Sequence, residues 1–389
     1  MKSSLSTAAR AGFALLIALG LLNAALARER GPRVEVVCPS PPLPVKIDKQ
    51  PVLVYELHVT NFDTVPLTLK RLDVFGNDEN RPLITLADES LAAAMIQVGA
   101  SIASADSSAG TKDTQTIGPG KRAVVFLWVE MQSGRPAPIS LRHRMVFSSP
   151  AADGGKPAEA TLEDFPVPVS QDAVPTLGPP FNGGIWVAGE GPANDSGHRR
   201  SITAVDGHIY SAERFAIDWV KVGPNGDSRH EGSTRNENWW GYGEPVLAVA
   251  DGEITAVLDG IPDNTPRVLP PVTLDNIAGN YVTLRISPNR YVTYAHLQNG
   301  SVKVRLHDRV RRGTILALLG NSGNSTGAHL HLQVTDRNSV LQSEGVPFIF
   351  TNFTYLGPGA EYPEKQVSAP WVNSIPPRNA VIEFEPSRK

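Results

Sequence analysis

At 389 residues the chain is long enough for two ordinary domains, and 41% hydrophobic with 19% charged residues suits a folded, soluble protein and excludes a disordered one. A formal net charge of −3 gives no basis for bulk nucleic-acid binding. With 34 Gly and 33 Pro, turns are frequent, which favours short strands over long helices.

The N-terminus reads as a targeting segment. Lys2 and Arg10 supply a positive start, Ala11 to Leu22 is an apolar run too short to span a bilayer comfortably, and Ala25-Leu26-Ala27 is a cleavage signal. A signal peptide over 1–27 is expected, with a mature chain beginning near Arg28, secreted or periplasmic. The rival expectation is an uncleaved N-terminal anchor. No later segment is long and apolar enough to cross a membrane. Cys38 is the one cysteine, so no internal disulfide can form, and a metal site must draw on His and carboxylates.

Residues 28–170 read as one β-domain. Val52 to Val59, Leu67 to Phe75, Ala123 to Val129 and Ser140 to Phe147 have strand patterns with turn residues between them, which suggests an immunoglobulin-like β-sandwich. Ser101 to Thr116 reads as a surface loop. No catalytic cluster is visible here; His58 and His143 read as ordinary strand residues, and the domain as a spacer or a docking module for a protein partner. Residues 171–193, with Val-Pro-Val before them and Leu-Gly-Pro-Pro and Gly-Gly-Ile-Trp within, read as a linker.

A second domain over 194–350 is essentially all β, with 351–389 as a C-terminal extension. Asp206-Gly207 predicts a tight hairpin turn that pairs Val205 with His208. Glu213 to Trp219 reads as a strand, and Gly223 to Trp240 as a polar insertion. Within it, Trp239-Trp240 read as aromatics that anchor their own loop in preference to a sugar- or peptide-stacking pair. The richest stretch is Gly313 to Val334. Ile315 to Leu319 is an apolar strand, Gly320, Gly323 and Gly327 punctuate a loop, and His329-Leu330-His331-Leu332 follows. Alternate strand residues share a face, so the two imidazoles point one way and the two leucines the other. That arrangement suits a metal or acid–base site.

Three motifs in order make the pattern specific: Gly-x-Pro-Val-x-Ala-x-x-Asp-Gly at 243–252, Tyr-Ala-His-Leu at 294–297, and Gly-Asn-Ser-Gly-Asn-Ser-Thr-Gly-Ala-His-Leu-His at 320–331. Residues 214–335 resemble the lysostaphin-type zinc metallopeptidases, small β-folds that cut peptide bonds, usually in peptidoglycan cross-links. The resemblance implies one Zn2+ per chain, with Asp218 and His331 as ligands and His296 and His329 assisting catalysis. Zinc with three protein ligands keeps a position for water, and neutral imidazoles beside it can move a proton and steady an oxyanion.

One position departs from the pattern. Four residues before Asp218 the family has a histidine ligand and this chain has Arg214, whose guanidinium has no lone pair to give. Three histidines are candidates for the missing donor. Extending the Asp206-Gly207 hairpin sets His198 beside Phe215 and Arg199 beside Arg214, so a bulge at His198 would turn it inward. His208 is roughly 30 Å from Asp218 along an extended strand. His230 lies in the insertion and reaches back only if that loop folds over. His198 is favoured; its plainer role is a surface histidine before Arg199-Arg200. If none serves, Arg214 itself can pair with Asp218 and fill the metal's place. The expected function is a zinc endopeptidase acting on peptidoglycan or other extracytoplasmic peptides. The alternatives are a degenerate, metal-free relative that binds cell wall or regulates another hydrolase, and a plain carbohydrate- or protein-binding sandwich.

Overall fold

A computed structural model describes residues 31–386 apart from 78, 100–112, 152–154 and 231–233. The expected signal peptide and most of the Ser101–Thr116 loop lie outside the described residues. Among those described, one compact unit comprises residues 31–37, 57–125 and 141–167, and a second comprises 38–56, 126–140 and 168–386. Both are built almost entirely from strands, as the turn-rich composition predicts.

The first unit takes its residues from two antiparallel sheets, in which 57–61 of Gln50–Asn61 and 122–125 of Arg122–Glu130 belong to it. One takes strands from Val34–Val37, Gln50–Asn61, Arg122–Glu130 and Met95–Gln97, the other from Ala158–Pro168, Ser140–Ser149, Leu67–Gly76 and Ile84–Ala87. Leu141, His143, Met145 and Phe147 alternate with more exposed residues along their strand, so one face of that sheet is buried. His143 sits in this buried row, donates from Nδ1 to the Phe165 carbonyl at 2.9 Å, and is pushed down to about 4 by burial, as an interior neutral imidazole would be.

In the second unit an eleven-stranded sheet dominates. Its order is Thr176–Leu177, Ile349–Pro358, Ala380–Phe384, Gly184–Gly189, Ile217–Lys221, Leu330–Thr335, Arg290–Leu297, Asn280–Ser287, Gly252–Leu258 and Arg309–Val310, with Ala369–Ser374 paired to Ile349–Pro358. The stretch read as a linker therefore contributes Gly184–Gly189, hydrogen-bonded between Ile217–Lys221 and Ala380–Phe384. The stretch read as a C-terminal extension contributes its own strands to the same sheet. Periodicity marks a strand but not its partner, and Gly184–Gly189 finds one of its partners, Ala380–Phe384, about two hundred residues away.

The middle of the sheet positions the chemistry. Asp218 is directly opposite His331 across the Ile217–Lys221 and Leu330–Thr335 pair, and His331 is opposite Ala295, the residue before His296. Ile217, Trp219, Leu330, Leu332, Tyr294 and Val334 are buried in one hydrophobic core. Each such aliphatic side chain contributes about 1.5–3 kcal/mol by leaving water, so the polar face is held by the apolar face behind it.

Candidate metal and acid–base centre

Five side chains converge on a cleft of about 320 Å³: His198, Asp218, His296, His329 and His331. Glu213, Leu269, Asn324, Ser325 and Val340 also line it. The alternation predicted for His329 and His331 places both imidazoles in this cleft while Leu330 and Leu332 are buried.

His331 Nδ1 lies 3.0 Å from Asp218 Oδ1, and its Nε2 lies 2.9 Å from Gln333 Oε1. Gln333 donates its own amide nitrogen to the Val340 carbonyl at 2.9 Å, which turns its oxygen toward His331. A proton on His331 Nε2 follows, and Nδ1 is the atom aimed at Asp218. Burial would lower the His331 pKa, but the hydrogen bond and charge of Asp218 outweigh it and raise the imidazole to about 9. Burial likewise would raise the Asp218 carboxyl; the neighbouring His329, His198 and His331 hold it well below the usual carboxylate range.

His198 reaches the cleft by a route the sequence did not indicate. The hairpin pairs Val205 with His208 as expected but ends at Thr203 and Tyr210, so the register that set His198 beside Phe215 does not exist. His198 instead lies on a short helical turn, Gly197–Arg200, capped by Ser196, whose hydroxyl accepts from the Arg199 amide at 3.2 Å. His198 donates Nδ1–H to the Glu190 carbonyl at 2.9 Å, and Glu190 also holds the Gly197 amide at 2.9 Å. A carbonyl only accepts, so the proton is on Nδ1 and the bare Nε2 faces the cleft, 3.5 Å from Asp218 Oδ2. Among the described residues, His198, Asp218 and His331 form a group whose three donor atoms all lie within 4.8 Å of one another. Their side chains are 6–21% exposed, open to the cleft without being surrounded by water.

His208 and His230 stay away from this group. The first is exposed on the hairpin; the second packs its ring on Trp240 at 3.9 Å. Arg214 does not enter the site either. It lies in a turn, since the strand begins only at Ile217, and its guanidinium is engaged by Glu56, Glu344 and the Gly345 carbonyl. Pairing of Arg214 with Asp218 is thereby replaced by a different partner, because a buried guanidinium with two carboxylates in reach leaves no fork for a third.

His296 and His329 share one arrangement. Each directs Nδ1 to a backbone carbonyl at 2.8 Å, Ser322 for His296 and Gly327 for His329, which leaves Nε2 as an acceptor. Their rings are 4.7 Å apart. His296 has φ +61, a conformation that costs of order 1–3 kcal/mol for a non-glycine residue and that gathers at functional sites. Burial, then the neighbouring His329 and His331, push its pKa well below the ordinary histidine value, so it stays neutral and able to take a proton.

The glycine loop before His329 is braced from outside. A Cβ on Gly323, at φ +74, would stand 2.2 Å from the Gly279 nitrogen, and a Cβ on Gly327 would stand 2.3 Å from the Trp239 ring. Trp239 thus packs against the loop before His329, outside the insertion it was expected to anchor, while Trp240 packs against Gly223 at the start of its own insertion. Asn264 donates to the Gly323 and Ser325 carbonyls, both at 2.8 Å.

Residues 240–343 match the model of Peptidase family M23. That stretch contains His296, His329 and His331; His198 and Asp218 precede it. The chain is 31% identical over 121 residues to peptidoglycan DD-endopeptidase ShyC of Vibrio cholerae, covering 31% of this chain and 26% of that protein. It is 29% identical over 104 residues to an uncharacterized metalloprotease of Buchnera aphidicola, covering 27% and 23%. The chain therefore matches about a quarter of the length of these curated relatives. Among solved structures, the catalytic domain of lysostaphin from Staphylococcus simulans aligns at 19% identity and a TM-score of 0.24, covering 41% of this chain and 86% of that one.

Proposed function

We propose, from the premise that residues 240–343 form a Peptidase family M23 domain, that this protein is an exported zinc metalloendopeptidase that cleaves peptide cross-links of peptidoglycan. The observation that carries the proposal is the donor group of two imidazoles and one carboxylate, His198, Asp218 and His331, within 4.8 Å of one another beside two further imidazoles, His296 and His329. A His₂-carboxylate set is a zinc set with room for water, so the residues present fit the metal although Arg214 stands where a ligand is expected. Bound there, zinc would supply Lewis acidity toward a peptide carbonyl and would lower the pKa of a water molecule.

The protein's own groups do the rest. His198 is held by Glu190 with Nε2 free, and His331 by Gln333 with Nδ1 turned to Asp218, so both ligand orientations are set before any metal arrives. Neutral His296 takes a proton from the attacking water at Nε2 and can pass it to the leaving amine. When protonated at Nε2 as well, His329 donates across the ring pair toward the oxygen on which charge develops. The export signal expected at residues 1–27 would bring this chemistry to the compartment where the substrate lies. Among the described residues no helix is long and apolar enough to cross a membrane.

Digestion of purified cross-linked sacculi tests the proposal. Zinc-loaded protein is expected to convert cross-linked dimeric muropeptides to monomers, seen by liquid chromatography and mass spectrometry, with loss on chelation and return on adding zinc. Intact dimers in the presence of zinc would count against it.

A further inference from the structure

Arg214 replaces a residue that could ligate metal, yet it is one of the most tightly held side chains in the second unit. Its Nε lies 2.9 and 3.0 Å from the two oxygens of Glu56, its Nη2 lies 2.8 Å from Glu56 Oε2, and its Nη1 donates to the Gly345 carbonyl at 2.8 Å. Glu344 takes up the remaining edge. Glu56 is fully buried and is shared: Arg199 Nη1 pairs with Oε1, which Arg214 also contacts. Arg199 is also fully buried, donates from Nη2 to the Tyr55 carbonyl at 2.8 Å, and lies over the Phe126 ring at 5.0 Å. A carboxylate shared by two guanidiniums out of water is worth keeping only when every member is present, since removing one leaves an unpaired buried charge.

Arg199 is the residue after His198. Both belong to the turn Gly197–Arg200, and successive residues of a helical turn point about 100° apart. Seating Arg199 on Glu56 therefore fixes the direction of His198 toward Asp218. We propose that the Glu56–Arg199–Arg214 cluster is a positioning device for His198, so that the arginine standing at the lost ligand position anchors, through Glu56, the substitute ligand. Glu56, Arg199 and Arg214 act through His198 and touch no reacting atom. The inference rests on the metallopeptidase proposal and adds a cause for Arg214 to it.

Zinc affinity, by chelator competition on the full mature chain, and the visible spectrum of the cobalt(II)-loaded protein test this without reference to activity. Glu56→Gln and Arg199→Lys are each expected to weaken zinc binding about 10–100-fold and to shift the cobalt spectrum toward that of His198→Ala. In the His198→Ala background the same changes are expected to cost nothing further, because the ligand they position is gone. Arg199→Lys keeps a cation beside Glu56 and removes the bond to the Tyr55 carbonyl that orients Arg199, so it carries the cycle if Glu56→Gln does not fold. Unchanged affinity in folded Arg199→Lys, or an equal penalty with and without His198, overturns the inference while leaving the enzyme proposal standing. A wild-type chain that binds no zinc removes both.

Discussion

Replacing Asp218 with alanine is expected to abolish zinc binding and peptide hydrolysis together. Asp218 is the one carboxylate in the donor group, and it bridges the others: Oδ1 lies 3.0 Å from His331 Nδ1 and 3.6 Å from His329 Nε2, and Oδ2 lies 3.5 Å from His198 Nε2. Without it two neutral imidazoles are left as donors, and the net charge that favours a divalent cation is gone. His331 also loses the partner that orients its Nδ1. The expected fall in kcat/KM is on the order of 10⁴-fold or more, the scale seen when one member of a catalytic unit is deleted. Because Asp218 is in a strand with buried neighbours Ile217 and Trp219, the fold should persist. Circular dichroism alongside zinc analysis separates a lost site from a lost fold, and an active Asp218→Ala protein would place the chemistry elsewhere.

Alanine at His296 or His329 should give the opposite pairing, with metal retained and turnover lost. Neither belongs to the donor group, and each has Nδ1 tied to a backbone carbonyl. Removing one proton-transfer imidazole typically costs 10²–10⁴-fold, about 3–5 kcal/mol in the barrier. The loss should fall on kcat with KM little changed, since these groups act on charge that develops in the transition state. Alanine gives no relief at φ +61, because it too carries a Cβ, so no gain in thermal stability is expected to accompany the lost turnover. Zinc content close to that of the wild type, with hydrolysis reduced by that factor, is the expected result. Loss of zinc in either variant would make that histidine a ligand.

Some of this was legible in the chain and some was not, for reasons that lie in range. His329-Leu330-His331-Leu332 announces its geometry because strand alternation is a property of four adjacent residues. Asp218 and His296 sit in strands whose apolar neighbours mark them locally. The third donor needed more. The Asp206-Gly207 turn gave the correct Val205–His208 pair, but carrying that register back to residue 198 assumed an extended strand where a helical turn exists. Ser196 was the available signal, a capping residue placed three before Arg199. Arg214 was readable as a missing ligand and unreadable as an anchor, since its partner Glu56 is 158 residues away. Yet Glu56 was visible as a lone charge inside the run Val-Leu-Val-Tyr-Glu-Leu-His-Val, and a buried carboxylate of that kind needs a cation. Distance also hid part of the pairing of Gly184–Gly189, one of whose partners is Ala380–Phe384.

The most direct measurement is X-ray absorption at the zinc edge on wild-type and His198→Ala protein loaded with one equivalent of metal. Two imidazoles and one carboxylate around zinc in the wild type, falling to one imidazole in the variant, is the predicted outcome. An identical first shell in both proteins, or no zinc held by either, would contradict it.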